Sequence, residues 1–202
     1  MPGFFITGTD TGVGKTYATE WLARLFADEG LEVGVMKPIS SGPQKENDAL
    51  YLKRKLKLKD PIHLINPIHL SFPLAPYPAA RLQKRKLSMA PVFSAFRKLS
   101  KRHDCLLVEG IGGVLVPITR SYLVADLIKD LGLPALVVAR AGLGTINHTL
   151  LTVEALRKRK IKISGIILNG SKRKELSEKT NAETIEELTG IPIMVKLKWQ
   201  KI

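Results

Sequence analysis

The sequence contains a single cysteine, Cys105, in 202 residues. One thiol forms no internal disulfide and supplies no multi-cysteine metal site, so a reducing, cytoplasmic environment is expected. Long apolar runs are also absent, because no segment reaches the roughly 18 consecutive apolar residues of a membrane-spanning helix. The N-terminus shows no basic leader of the kind that begins a secretory signal. We therefore expect an unexported chain that makes no use of a membrane.

Aromatic residues are scarce at 6%, whereas Lys and Arg outnumber Asp and Glu by 32 to 18 and give a formal net charge of +14. This charge favours an anionic partner, but it does not separate nucleic acid, an acidic membrane and a phosphorylated small molecule. A nucleic-acid surface would also need interleaved aromatics or a recognisable reading module. We interpret the basic runs as solvated helix faces. They span residues 53–59, 81–86, 97–102, 157–162 and 172–174.

Short segments rich in Val, Ile and Leu alternate with longer segments of helical apolar spacing. This alternation predicts a three-layer α/β fold, with a mainly parallel β-sheet flanked by helices, in one domain over residues 1–202. The predicted strands cover residues 3–7, 32–36, 104–109, 135–139, 163–168 and, more weakly, 192–195. The predicted helices cover residues 15–29, 48–56, 90–102, 124–131, 145–159 and 177–189. The proline-rich stretch 60–87 predicts a loop or short edge elements.

A glycine-rich turn follows the first predicted strand and leads directly into a helix. Its sequence is Gly8-Thr9-Asp10-Thr11-Gly12-Val13-Gly14-Lys15-Thr16. In such a loop, backbone N–H groups surround an oxyanion while the helix N-terminus adds positive potential. Lys15 would reach the outer phosphates and the Thr16 hydroxyl would bind magnesium. Strict P-loop spacing would put the leading glycine at position 9, so we interpret the segment as a variant P-loop; an ordinary glycine-rich turn is the alternative.

Magnesium on nucleotide phosphates keeps octahedral oxygen coordination, so carboxylates should accompany Thr16. Glu109 ends a predicted apolar strand and would emerge at the carboxyl edge of the sheet, where open α/β sheets bind ligands. A capping or surface-loop role is its alternative. Asp48 is the second candidate, although an Asp at a helix start is also a common N-cap.

Three other segments follow predicted strands. Lys37 would place a second cation beside the phosphate loop, where charge develops during phosphoryl transfer; a plain surface lysine is the alternative. Ser41 and the glycine after it would offer donors to a small polar substrate. The turn over residues 141–148 is a second possible anion pocket at a helix start. Asn169 and Gly170 would either present an amide to a base edge or simply form a turn.

Five segments stand in one order along the chain. They are G-T-D-T-G-V-G-K-T at 8–16, M-K-P-I-S-S-G at 36–42, N-D-A at 47–49, V-E-G-I-G-G at 108–113 and L-G-T-I-N-H at 143–148. Each segment alone fits many phosphate-loop proteins. Together, in this order and spacing, they resemble the dethiobiotin synthetase family, and the resemblance implies a fold of the P-loop NTPase type.

The resemblance implies a ligase that uses ATP and Mg²⁺ to convert 7,8-diaminopelargonic acid (7,8-diaminononanoate) and carbon dioxide to dethiobiotin, ADP and phosphate. The path it implies runs through a carbamate and a carbamic-phosphoric anhydride. Lys15 and Lys37 would be catalytic, and Thr16, Asp48 and Glu109 would hold magnesium. The implied nucleotide contacts are Gly12, Val13, Gly14, Lys15, Thr16, Tyr17, Asp48, Glu109, Gly110, Ile111, Gly112, Asn169 and Gly170. The implied substrate contacts are Thr11 and Ser41 and, from the second subunit of a homodimer, Leu143, Gly144, Thr145 and Asn147.

The sequence departs from the family pattern at its C-terminus. Family members usually continue into a loop that covers the base, whereas this sequence ends at Leu197-Lys198-Trp199-Gln200-Lys201-Ile202. We therefore expect this protein to discriminate ATP from other nucleoside triphosphates less well than longer relatives do.

The main alternative function is a switch ATPase of the chromosome-partition or septum-site type that binds DNA or membrane through its basic surface. Such proteins usually carry a lysine where this loop has Asp10, and they lack the Lys-Pro-x-x-Ser-Gly segment at 37–42. We therefore expect small-molecule substrates and neither nucleic acid nor membrane as partners.

Overall fold

A six-stranded sheet forms the centre of the computed structural model, which describes residues 3–170 and 176–198. The strands, in chain order, are β1 (Gly3–Gly8), β2 (Val33–Met36), β3 (Ile39–Ser41), β4 (Ile68–Leu70), β5 (Cys105–Gly113), β6 (Ala135–Arg140), β7 (Ile163–Asn169) and β8 (Ile193–Leu197). The helices are α1 (Lys15–Asp28), α2 (Asp48–Lys55), α3 (Ile62–Ile65), α4 (Pro76–Leu82), α5 (Ala90–Ser100), α6 (Val124–Leu131), α7 (Thr145–Lys158) and α8 (Asn181–Thr189).

The order of strands in the sheet is β2-β5-β1-β6-β7-β8, and each neighbouring pair is parallel. From β1 the chain first moves to β2 on one side, and later to β6 on the other. A crevice therefore opens at the carboxyl ends of the central strands, the usual place for a ligand in an open α/β sheet. The phosphate loop leaves β1 at this point, and β2 and β5 end beside it.

Successive strand residues face opposite sides of the sheet, and helices cover both sides. Phe5 belongs to the apolar cluster that includes residues of α5, α6, α7 and α8, whereas Ile6 belongs to the cluster that includes α1 and α2. The same alternation separates Leu106 from Leu107 on β5. Strands covered on both faces must be apolar throughout. The predicted three-layer architecture with a parallel sheet is therefore confirmed.

Two boundary predictions were wrong by four residues each, whereas the other predicted bounds lie within two residues of the observed ones. Strand β5 does not end at Glu109 but continues to Gly113, because Gly113 still pairs with Gly8 at the end of β1. The last helix begins at Asn181 instead of Ser177, after a 3₁₀ turn over Leu176–Lys179. The buried Asn181 amide fixes this start by donating to the carbonyls of residues 141 and 142, at 2.8 and 3.0 Å.

The proline-rich stretch contains short elements, as expected, and they form a small second layer beside the main sheet. Helices α3 and α4 lie within it, with Pro76 and Pro78 in the first turn of α4. Strand β4 pairs in parallel with β3, which was not predicted, and together they form a two-stranded sheet. These elements lie beside the end of β2, where the Lys37 N–H donates to the Ile65 carbonyl at 2.7 Å, and Ser40 and Ser41 of β3 face the crevice.

In residues 3–170 and 176–198 no helix is long and apolar enough to cross a membrane. The basic run at 172–174 and the last four residues of the sequence, 199–202, lie outside the described residues.

Candidate active site

The phosphate loop connects β1 to α1 and has the backbone that its glycines require. Gly12 has φ +70°, and Gly14, the N-cap of α1, has φ +96°, a region that side chains disfavour. A Cβ at Gly14 would also collide with the Asn169 amide. The α1 N-terminus thus meets the loop and leaves N–H groups facing the crevice.

Lys15 and Thr16, the first residues of α1, are buried at the floor of the crevice. The Lys15 ammonium donates to the Asp10 carbonyl at 2.9 Å. Burial, followed by the nearby charge of Lys37, lowers the pKa of Lys15 to about 8. A cation held in this way lacks a full set of acidic partners and is available to an incoming polyphosphate.

Lys37 follows the last residue of β2 and is only 2% exposed. Its ammonium donates to Glu109 Oε1 at 2.6 Å, to Asp48 Oδ2 at 2.8 Å and to the Gly110 carbonyl at 3.1 Å. These bonds use all three of its protons. Burial lowers its pKa, but the charges of Glu109 and Asp48 outweigh burial and raise the pKa above its ordinary value. The surface-lysine alternative for Lys37 is therefore wrong.

Glu109 lies inside strand β5 and is completely buried. Its Oε1 accepts from the Thr16 hydroxyl at 2.9 Å as well as from Lys37. Its Oε2 is buried and has no hydrogen-bond partner among the described residues. A buried carboxylate oxygen without a partner is costly unless a ligand or cation completes its bonding. Neither the capping nor the surface-loop alternative fits this position.

Asp48 is the first residue of α2, and its side chain is 46% exposed at the mouth of the crevice. The N-cap is the preceding residue, Asn47, whose side chain accepts from the Ala49 N–H at 2.8 Å. The N-cap alternative for Asp48 is therefore wrong. Its carboxylate is instead turned towards Lys37, at the same site as Thr16 and Glu109.

The oxygens of Thr16, Asp48 and Glu109 fit a magnesium ion bound together with phosphates. Within the described ranges, no group of three or more His, Cys, Asp or Glu side chains is arranged to hold a metal. Mg²⁺ does not need such a cage, because it usually takes one or two carboxylates and fills its remaining positions with phosphate oxygens and water. The unpartnered Oε2 of Glu109 is the observation that favours a cation here.

A cavity of about 560 Å³ opens above these charged groups. Other predicted residues that line it are Thr11, Gly12, Gly14, Ser41, Ile111 and Gly112. One wall is apolar and was not predicted; it consists of Pro73, Leu74, Ala75 and Val116. The first three belong to the proline-rich stretch, where no local pattern indicated a binding surface. The cavity therefore joins a highly charged floor to a hydrocarbon-like wall.

Asn169 ends β7 beside the phosphate loop. Its Nδ2 donates to the Val13 carbonyl at 3.1 Å, whereas its buried Oδ1 has no partner among the described residues. Gly170 donates its N–H to the Leu197 carbonyl at 2.9 Å and so continues the sheet edge. Tyr17 packs against the apolar cluster on the α1 side. Arg140 was not predicted; its guanidinium donates to the Thr11 carbonyl at 3.2 Å.

The predicted substrate residues between β6 and α7 do not line this cavity. Leu143 is 88% exposed, and Gly144 has φ +87° as the N-cap of α7. Thr145 is buried and Asn147 is exposed. A second cavity, of about 380 Å³, lies beside α7 and includes Leu151. None of the four predicted residues lines this second cavity either.

This chain is similar to known proteins over nearly its whole length. A family model described as an AAA domain matches residues 2–202. The ATP-dependent dethiobiotin synthetase of Thermodesulfovibrio yellowstonii is 44% identical over 95% of this chain and 86% of its own length. That of Anaeromyxobacter dehalogenans is 46% identical over 99% of this chain and 91% of its own length.

Among solved structures, a ParA family ATPase from Chlorobium tepidum has a TM-score of 0.61 over 99% of this chain and 85% of its own. Its sequence identity is only 13%, so it supports the fold alone. The predicted P-loop NTPase type of fold is thereby confirmed.

Proposed function

The chain belongs to the dethiobiotin synthetase family, and from this premise we propose the reaction and the residues that carry it out. It is an ATP-dependent ligase of biotin biosynthesis, like its relatives of 44–46% identity. We propose that it joins carbon dioxide to 7,8-diaminopelargonic acid. One observation carries the proposal: Lys15, Thr16, Lys37 and Glu109 converge at the carboxyl edge of the sheet, below a cavity with one apolar wall.

The proposed path has three steps. One amine of the substrate adds to carbon dioxide and loses a proton, which gives a carbamate. A carbamate oxygen attacks the γ-phosphorus of ATP, the bond to ADP breaks, and a carbamic-phosphoric anhydride forms. The second amine attacks the carbonyl carbon, phosphate leaves with the bonding electrons, and the amine loses a proton as the ring closes. The covalent steps take place between the substrates, so the protein contributes by positioning them and by stabilising charge.

Lys15 and Lys37 would stabilise the phosphoryl group during transfer. Lys37 is held on its buried side by Glu109 and the Gly110 carbonyl, and on its open side by Asp48. The exposed Asp48 is therefore the partner that a phosphate oxygen would replace. A preorganised cation in a water-poor site stabilises developing charge far better than it would in water.

Magnesium would be held by Thr16, Asp48 and Glu109 and would supply charge neutralisation on the phosphate oxygens. For Glu109→Gln we expect a higher magnesium concentration at half-maximal rate, because the amide binds the cation less strongly. An unchanged magnesium dependence would reassign this carboxylate to a structural role.

The cavity suits a substrate with a polar head and an aliphatic chain. The two amines would lie near Thr11 and Ser41, while the chain would pack along the wall formed by Pro73, Leu74 and Val116. The chain ends in a carboxylate, and the α7 N-terminus of a second subunit would bind it. Exposure of Leu143 at 88% and Leu151 at 57% supports a homodimer through this surface.

We propose that residues 1–202 act as one P-loop domain in the cytoplasm, where ATP is present, on small molecules and without nucleic acid or membrane. At the nucleobase of ATP, the unpartnered Asn169 Oδ1 would accept a hydrogen bond from an exocyclic amine.

The test is turnover by the purified protein with ATP, magnesium and bicarbonate, with and without the diamine. Dethiobiotin is identified by mass spectrometry and ADP is measured in parallel. We expect ADP release that requires the diamine and matches dethiobiotin formed one to one. ATP hydrolysis that DNA stimulates without the diamine would instead support the partition-type switch.

A further inference from the structure

Asn66 is a buried amide behind the candidate active site that sequence reasoning did not single out. It follows α3, precedes a proline, and is 9% exposed. Its Nδ2 donates to the carbonyls of Lys37 and Ile68 at 2.7 and 3.1 Å. Its Oδ1 accepts from Ser40 Oγ at 2.8 Å and from Asn47 Nδ2 at 3.1 Å. Both donors and both acceptor positions of the amide are therefore used.

The backbone of Lys37 has left the main sheet, and the segment around Asn66 holds it from both sides. The Lys37 N–H donates to the Ile65 carbonyl at 2.7 Å, and the Lys37 carbonyl accepts from Asn66 at the same distance. Strand β2 ends at Met36. The position of the catalytic ammonium thus depends on residues 65 and 66 and not only on the sheet.

The oxygen of the Asn66 amide bonds the N-cap of α2, the helix that begins at Asp48. Asn47 donates to Asn66 and caps α2 through its own oxygen, and Asp48 is the next residue. One buried amide therefore bonds the backbone of Lys37 and the cap immediately before Asp48. The side chains of these two residues meet at 2.8 Å. Ser40, another partner of Asn66, lines the cavity.

We propose that Asn66 is a positioning residue that holds the Lys37 backbone and the start of α2, and so places the side chains of Lys37 and Asp48 where phosphoryl transfer requires them. The role of Lys37 in this inference rests on the proposed function. Asn66 lines no part of the cavity and touches no phosphate-loop residue in the described contacts, so it acts through its partners. Around metal sites, outer-layer hydrogen bonds typically change activity by about 10–100-fold, and we expect an effect of the same order for Asn66.

The principal variants are Asn66→Ala, which removes the amide, and Asn66→Asp, which keeps the shape of the side chain but replaces the donating nitrogen by an acceptor oxygen. We expect kcat to fall by about 10–100-fold and KM for ATP to change less than about threefold, because the loop around Lys15 is not disturbed. Binding of a non-hydrolysable ATP analogue, measured by calorimetry, should likewise remain near that of the wild type.

A milder variant, Asn47→Asp, keeps the capping oxygen for the Ala49 N–H but removes the bond to Asn66. It provides the test if the Asn66 variants do not fold. Ile185→Ala is the matched control for lost stability, because Ile185 is fully buried on α8 and lines neither of the cavities described above. This control should melt at a lower temperature with kcat unchanged.

The inference would be overturned in favour of a structural role if the Asn66 variants melt at a lower temperature with kcat unchanged. If the Asn66 variants do not fold, the same result for Asn47→Asp would overturn it. Equal losses in kcat and in nucleotide affinity would also overturn it, because they indicate general disruption. If the wild type shows no diamine-dependent turnover, the proposed function fails, but a crystal structure of Asn66→Ala or Asn47→Asp still decides the positioning. There we expect the distance from Lys37 Nζ to Asp48 to exceed about 4 Å, the limit of an ion pair; an intact pair would refute the inference.

Discussion

Replacing Lys37 by methionine tests whether the buried ion pair with Glu109 has the energetic weight that its burial indicates. The two side chains are 3% and 0% exposed, and their charged atoms are 2.6 Å apart. Methionine keeps much of the length of lysine but removes its charge, so Glu109 is left with the Thr16 hydroxyl as its remaining donor. A buried charge without its counter-charge is the unfavourable state that the wild type avoids.

Breaking a buried pair by removing one partner typically costs about 3–5 kcal/mol. Asp48 does not change this figure much, because its side chain is 46% exposed and water screens it. In a chain of 202 residues, each kcal/mol shifts the melting temperature by about 2–4 °C. Lys37→Met should therefore melt about 6–20 °C below the wild type.

The double variant Lys37→Met/Glu109→Gln separates charge from packing. Because it removes the buried Glu109 carboxylate together with its counter-charge, it should recover most of the lost melting temperature. Diamine-dependent turnover should stay low in both variants, since loss of a preorganised charge donor costs about 10²–10³-fold. The assays are thermal unfolding by circular dichroism and dethiobiotin formation. Melting of Lys37→Met within about 2 °C of the wild type, or no recovery in the double variant, would refute the reasoning.

Further predictions address other parts of the molecule. Gly14→Ala should abolish measurable ATP binding in calorimetry, because alanine disfavours φ +96° and its Cβ would collide with Asn169; near-normal affinity would contradict this account of the loop. Asn169→Ala should equalise turnover with ATP and GTP, whereas the wild type should use ATP and CTP comparably, since adenine and cytosine carry an exocyclic amine at the ring position where guanine carries a carbonyl oxygen; strong preference for ATP over CTP would contradict this prediction. Burial, and then the charge of Arg85, lower the pKa of His69 in the folded protein. The unfolded chain therefore binds the proton more readily, and stability should fall as pH drops through about 6.5. Between pH 7 and pH 5, His69→Gln should lose less melting temperature than the wild type, and equal losses would contradict this prediction. Leu151→Glu should shift a homodimer to monomer in analytical ultracentrifugation, and an unchanged mass would remove this surface from the interface.

The local parts of the site were predictable from the sequence because their chemistry is contained in a few consecutive residues. The phosphate loop is an example: Gly12 and Gly14 provide the backbone freedom, and Lys15 and Thr16 follow at once on the helix. The parallel sheet was predictable for a similar reason, since strands buried on both faces must be apolar throughout. The end of β5 was not, because pairing with β1 carries the strand past Glu109 to Gly113.

The sequence by itself thus determined the type of fold, the phosphate loop and the family, whereas only the tertiary structure decided how the charges are paired. Lys37 and Glu109 are 72 residues apart in the chain, and nothing local distinguishes a buried, triply bonded ammonium from a surface lysine. Asn66 lies in the proline-rich stretch, which predicted a loop or short edge elements and no role at the site, yet it binds the backbone of Lys37. The physical reason is the distance along the chain over which each interaction acts. A loop conformation depends on its own residues, but burial and ion pairing depend on which distant segments the sheet brings together.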